Sequence, residues 1–241
     1  VIFFRILEKI LVSSPEMVQK FLKTYLIRFE IWNLRMAIIK VLVKKEIPED
    51  LFPFFEKPQE ILEQKKMIKK LKHSETLDHI KRAIKGTNYE KIIEEALEKY
   101  EQTNELFYLE QSLEKFYFTY LLKSQVLYSS KEKELFGDYI KFSLDFYNLN
   151  FFLRAIYNNF PSKVTSKYII EEGLYLKKKD FQALRQCESL SCYFQILKDV
   201  FKSNKDLIIN FFNRMKDSSK NKKNIFLRMV NEILVDKFNK D

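Results

Sequence analysis

The sequence predicts an all-α protein, and three observations carry that expectation. With only 3 Gly and 5 Pro in 241 residues, there is little material for hairpin turns or phosphate-cradling loops. Apolar residues recur at helical spacing over long stretches rich in Leu, Ile, Lys and Glu, most clearly Leu135–Phe160 (LFGDYIKFSLDFYNLNFFLRAIYNNF). Helix start signals stand ahead of several such stretches, and glycine or proline closes them. A hydrophobic share of 46% excludes wholesale disorder, and the length suffices to bury a sizeable core.

Taken in order, residues 1–12 begin as helix with no start signal ahead of them, so Val1 is expected to lie inside a structural unit whose beginning precedes this sequence. Ser13 or Ser14 as N-cap, with Pro15 at the first helical position, opens a helix expected to run to Lys45. Pro48, Pro53 and Pro58 then mark irregular or short helical structure, with the aromatics of 49–55 covering a core edge. Glu60–Lys85 reads as a charged helix with Ile61, Leu62, Ile68, Leu71, Leu77, Ile80 and Ile84 on its apolar side. Gly86 stops it, and Thr87 with Glu90 forms a capping box for a helix Asn88–Tyr100. Another helix runs from Asn104 to Leu127, and Ser129 with Glu132 caps the stretch that ends before Pro161. Tyr168–Leu174 reads as a short helix closed by Gly173. A further helix starts at Asp180, is interrupted at Ser189–Ser191 and resumes over Cys192–Val200. Residues 202–224 are partly loop-like, and Ile225–Phe238 is expected to be the last helix.

Inside the longest apolar stretch sit Asp145 and Asn148, three apart and therefore on one side of a helix. Polar groups in so aromatic a setting cost free energy unless hydrogen-bonded, so they are expected to anchor a junction. Asp145 is expected to bond neighbouring helix ends or Arg154, six positions after the asparagine. The layout has an echo: Glu30 and Asn33 stand 115 residues earlier, and the Ser-rich caps answer each other at an offset of 116. Matching caps, apolar spacing and register point to an internal repeat. Trp32, between the two polar residues, reads as packing at a helix junction.

The formal charge of +10 favours polyanionic partners without choosing among nucleic acid, an anionic membrane surface and an acidic protein. Its lysine clusters, Lys65–Lys72, Lys177–Lys179 and Lys216–Lys223, also suit a solvated surface. His73 and His79 are six apart and face different ways on a helix, so they make no metal or catalytic pair. Cys187 and Cys192, five apart, would diverge on a helix and read as core packing in a reducing compartment. Motifs for dinucleotide, nucleotide triphosphate, zinc-protease or serine-hydrolase chemistry are missing from the sequence. Aromatics at core spacing argue against a stacking platform for nucleic acid. An enzyme is the least favoured class.

At these residues the sequence resembles a known family. Tyr25-x4-Glu30-x2-Asn33-Leu34 and Tyr139-x5-Asp145-x2-Asn148-Leu149-x4-Arg154 are similar to the repeated Asp-x-x-Asn-(Ile/Leu)…Arg signature of the C subunit of archaeal and bacterial A/V-type ATPases, subunit d in eukaryotic vacuolar ATPases. Asn88-Tyr89, Leu109-Glu110-x2-Leu113-x3-Phe116-Tyr117 and Tyr168-Ile169-x3-Gly173-Leu174 add to the likeness, which covers Ser14 to about Phe201 and fades beyond. The resemblance implies a funnel-shaped pseudo-threefold arrangement of helical units. Here these would be the end of an incomplete first unit (1–13), a second (14–128) and a third (129–241), forming one continuous structural domain. It implies a non-catalytic rotor connector, peripheral on the cytoplasmic face of the membrane, one copy per complex, with no cofactor and no metal. Its partners would be the central stalk subunits and the membrane proteolipid ring, with contact to anionic lipid headgroups nearby and no nucleic acid. Glu30, Asn33, Asp145, Asn148 and Arg154 would be a structural signature. Two departures stand out: Glu30 replaces the usual Asp, and Ile39 occupies the place where Arg154 stands in the later copy. The rival readings are a generic helical adaptor, against which the long 115-residue period speaks, and a basic nucleic-acid-binding protein.

Overall fold

The computed structural model describes residues 2–43, 54–63, 65–128, 130–161, 164 and 166–205, and every regular element among them is helical. In chain order these are α1 (Ile2–Ser13), α2 (Glu16–Val43), α3 (Lys57–Ile61), α4 (Lys65–Lys72), α5 (Leu77–Ile84), α6 (Glu90–Thr103), α7 (Leu106–Lys123), a 3-10 turn (Ser124–Leu127), α8 (Ser130–Tyr157), α9 (Lys178–Arg185) and α10 (Leu190–Ser203). The chain divides into two compact units, 1–177 and 178–241. The expected Ile225–Phe238 helix, the Lys216–Lys223 cluster, Pro48, Pro53 and the Ser129 cap lie outside the described residues.

In the first unit the two long helices, α2 and α8, are the frame. Helix α7 packs on both and also on α6, while α1, α3, α4 and α5 gather around α2. Leu34 and Ile38 of α2, Ile80 and Ile84 of α5, Ile93 of α6, Leu109 and Leu113 of α7 and Phe151 of α8 are almost completely buried. Burying each such side chain stabilises the fold by about 1.5–3 kcal/mol. Aromatic rings fill the seams between elements. Phe55 contacts Phe4 of α1 and Phe29 of α2 edge-on, and Phe21 of α2 stacks on Phe136 of α8 at 4.4 Å and 14°.

Three expectations about the helices of the first unit need correction. The single helix Glu60–Lys85 is three short ones. Glu63 takes φ +60° after α3, and Ser74 and Thr76 break the chain between α4 and α5, where Thr76 accepts the His79 amide at 3.2 Å. Gly86 (φ +76°) does end α5. The expected Thr87–Glu90 box closes one residue away: the Glu90 carboxylate accepts the Gly86 amide at 2.7 Å, and the Thr87 hydroxyl accepts from Tyr89 N. Finally, the expected short helix Tyr168–Leu174 does not form: Tyr168 lies in a turn and 169–177 is irregular, with Ile170 and Leu174 engaged by α8, as described below.

In the second unit α9 packs on α10. Ser189 caps α10 by accepting the Cys192 amide at 3.2 Å. Cys187 and Cys192 are joined as a disulfide with a Cα–Cα distance of 5.8 Å. This corrects the expectation that the two thiols diverge. That expectation assumed continuous helix, whereas the chain turns between α9 and α10 and brings the two residues together.

Candidate functional site

The site is a pair of polar junctions, one on each long helix. On α8, Asn148 is fully buried and brackets one residue of the loop that follows: its Nδ2 donates to Ile170 O (2.8 Å), and its Oδ1 accepts from Ile170 N (3.1 Å). One turn earlier, Asp145 accepts three consecutive backbone amides, Leu174 N (2.9 Å), Tyr175 N (2.7 Å) and Leu176 N (3.1 Å). A carboxylate facing three amides holds the loop as a helix N-terminus would hold an anion. The approach is so close that a Cβ added at Gly173 would overlap the Asp145 carboxylate and stand 3.3 Å from Leu176 O. Glycine is therefore required here for space.

On α2, Asn33 is also fully buried and makes the same bracket with Phe55: its Nδ2 donates to the carbonyl and its Oδ1 accepts the amide, both at 2.7 Å. In both junctions the bonded residue lies 22 positions after the asparagine. The acid beside it behaves differently. Among the described residues Glu30 has no set of backbone amides; its hydrogen-bond partner is the Tyr89 hydroxyl at the start of α6. The residue 115 positions before Gly173 is Pro58, which has no N–H and, unlike glycine, carries a side chain. The next amides, Gln59 N and Glu60 N, donate to Glu56 O within α3. The longer glutamate reaches past the lost cradle to the tyrosine.

Burial raises both acids. Glu30 is pushed up to about 7, with the Tyr89 bond opposing the shift; Asp145 is pushed up to about 6, its three amides opposing. Burial also drives the Tyr89 hydroxyl upward, reinforced by the neighbouring Glu30. No cation forms an ion pair with either acid among the described residues.

Of the two partners expected for Asp145, helix ends or Arg154, the arginine is not brought to it; the amides of 174–176, just ahead of α9, are. Nine residues turn a helix by about 900°, so Asp145 and Arg154 project from opposite sides of α8. Arg154 instead pairs with Glu110 on α7. Four residues along α7, Glu114 meets Arg35 of α2 at 3.7 Å, and Arg35 also lies over the Trp32 ring at 4.7 Å. Ile39 of α2 thus leaves no gap in the clamp, since Arg35 supplies the charge one turn earlier. Burial raises Glu114 despite the opposing Arg35 and Arg154.

Sequence reasoning missed Phe55, Tyr89, Gly173, Arg35 and the two α7 glutamates as parts of the junctions. Only the Pro58-for-Gly173 exchange, read at the repeat offset, could have signalled the different role of Glu30. His73 and His79 are exposed, and no group of metal-ligating side chains occurs among the described residues. The arrangement can clamp loops to helices and helices to one another; nothing in it activates a nucleophile.

A family model described as "ATP synthase (C/AC39) subunit" matches residues 3–238, further than the fading of the likeness near Phe201 suggested. Similar curated proteins are A-type ATP synthase subunits C. That of Methanocaldococcus jannaschii is 29% identical over 176 residues, taking in 70% of this chain and 42% of that protein. That of Methanobrevibacter smithii is 30% identical over 96 residues (40% of this chain, 25% of that protein). That of Methanosphaera stadtmanae is 29% identical over 124 residues (50% and 32%). The chain therefore spans less than half the length of the curated relatives it matches. No solved structure matches it. With a family match running over nearly its whole length, the chain belongs to the ATP synthase (C/AC39) subunit family.

Proposed function

We propose that this chain is a non-catalytic rotor connector. It seats the central stalk of a rotary A/V-type ATPase on the membrane proteolipid ring and passes torque between ATP turnover and H⁺ or Na⁺ movement. One copy sits peripherally on the cytoplasmic face, with the stalk and the ring as its partners. Its helical units (1–13, 14–128 and 129–241) are arranged about a pseudo-threefold axis to form a funnel.

The observation that carries this reading is the stack of Phe21 on Phe136. The two are 115 residues apart, so they are equivalent positions of the two copies. Equivalent residues of units related by rotation touch only where they lie close to the rotation axis. The paired asparagine brackets support the same relation, and the Arg35–Glu114 and Arg154–Glu110 pairs tie both long helices to α7. Dense aromatic cores transmit strain, as a torque-bearing part requires. Among the described residues no helix is long and apolar enough to cross a membrane, which suits a peripheral part.

The test is capture of the full chain from detergent-solubilised membranes. Recovery with stalk and proteolipid subunits, one copy per complex, is expected; recovery without them would sink the reading. Exposed Tyr120 and Phe146 are suited to grip a partner. Tyr120→Ser with Phe146→Ser should lower assembly several-fold while far-UV circular dichroism stays unchanged.

A further inference from the structure

We infer that the outward face of the α4–α5 pair is a docking surface for anionic lipid headgroups. Residues 65–86 hold eight Lys and Arg against two acids, so more than half of the formal +10 is concentrated in one short hairpin. The fold decides where those charges point. Helices α4 and α5 pack on each other and both lie on α2. They bury Met67, Ile68 and Leu71 from α4 and Ile80, Ala83 and Ile84 from α5. With the apolar side committed to the core, Lys66, Lys69 and Lys70 of α4 are exposed, as are Lys81 and Arg82 of α5 and Lys85 beyond it. Two ion pairs, Lys72–Glu56 and Lys65–Glu60, tie the hairpin to the α3 region and leave its outer side cationic.

The chemistry of this face selects the partner. Protein interfaces centre on aromatic, Met and Arg anchors and are depleted of Lys. Here seven of the eight cations are Lys, and no exposed large apolar side chain occurs over 65–86. A flexible field of point charges without an anchor suits a fluid layer of phosphate headgroups, where each cation near the surface adds to adsorption. Because the apolar side is already buried, the helices lie against the surface without inserting, and binding must weaken steeply with salt. The connector reading supplies only the reason that a membrane is near; the charge distribution stands without it.

Co-sedimentation of the full chain with phosphatidylcholine vesicles carrying about one-fifth phosphatidylglycerol tests this. Binding is expected with these vesicles, absent with phosphatidylcholine alone, and lost between about 50 and about 300 mM salt. Replacing Lys66, Lys69, Lys70 and Lys81 by Gln should weaken it at least ~10-fold. A control changing Lys91 and Lys99 of α6 to Gln should weaken it less than about twofold. Circular dichroism of both variants checks folding. Equal binding to neutral vesicles, equal loss in the control, or tighter binding to polyglutamate than to the anionic vesicles would each overturn the proposal. If the four-lysine variant and the parent alike ignore anionic vesicles yet still enter the ATPase complex, the lipid surface is wrong and the connector reading stands.

Discussion

At the scale of single residues, two buried acids answer the same problem differently. Asp145 is surrounded by backbone donors, so its charge has partners; Glu30 has one phenol. Both have folded-state values raised above their ordinary ones, from 3.8 to about 6 and from 4.5 to about 7. Protonation therefore favours the folded chain. Their contribution is complete below about pH 4, declines as pH rises and is gone above about pH 7. A urea series from pH 4 to 8 should show stability falling by about 4–6 kcal/mol from the two groups together. Glu30→Gln should remove the part that ends near pH 7 and be more stable than the parent at pH 8 by about 1–3 kcal/mol. Asp145→Asn should be less stable at every pH, because its amide N–H₂ would face backbone donors. Gly173→Ala should cost about 2–4 kcal/mol, read as a lowered urea midpoint, since the carboxylate and its three amides must move together. A Gly173→Ala protein as stable as the parent would show that the loop has room the structure does not give it.

At the scale of elements, loops are held by side chains from helices that precede them by 22 or more residues. Each asparagine satisfies both backbone groups of one loop residue, half-buried Phe55 or buried Ile170, and alanine would orphan them. Asn33→Ala and Asn148→Ala should each lose about 2–4 kcal/mol in denaturant unfolding. Native-state hydrogen exchange should then rise most at Phe55 and Ile170 respectively. The segment 168–174 illustrates what periodicity misses. Its apolar residues, acids and closing glycine look helical, yet α8 already supplies partners for the amides of Ile170 and Leu174, and an irregular path brings them there. The Glu60–Lys85 error is local: Ser74 and Thr76 were readable as a break and cap, but a strong apolar pattern on either side hid them. The Cys187–Cys192 pairing was unreadable because spacing alone does not reveal a turn.

At the scale of the whole molecule, α7 is the strap between the two long helices. Glu110 and Glu114, one turn apart, meet Arg154 of α8 and Arg35 of α2. A double-mutant cycle on Arg154 and Glu110 should give a coupling of about 1–2 kcal/mol, as expected for a half-buried pair. Phe21→Ala should cost about 3–5 kcal/mol and weaken cooperativity, because the lost ring leaves a cavity between α2 and α8. Under the connector reading, the same variant should enter the rotor poorly even where it remains folded, measured by its recovery with the stalk.

The sequence by itself determined the helical class, the two long helices, the place of the buried acid–amide pairs and their 115-residue spacing. Those properties follow from local periodicity and from polar residues standing where water is excluded. Only the tertiary structure decided which groups answer them: amides of 174–176 for Asp145, a phenol for Glu30, and glutamates of α7 for the arginines. Hydrogen-bond partners are chosen by proximity after the chain has folded, and proximity between segments distant in sequence leaves no mark on the spacing of either one.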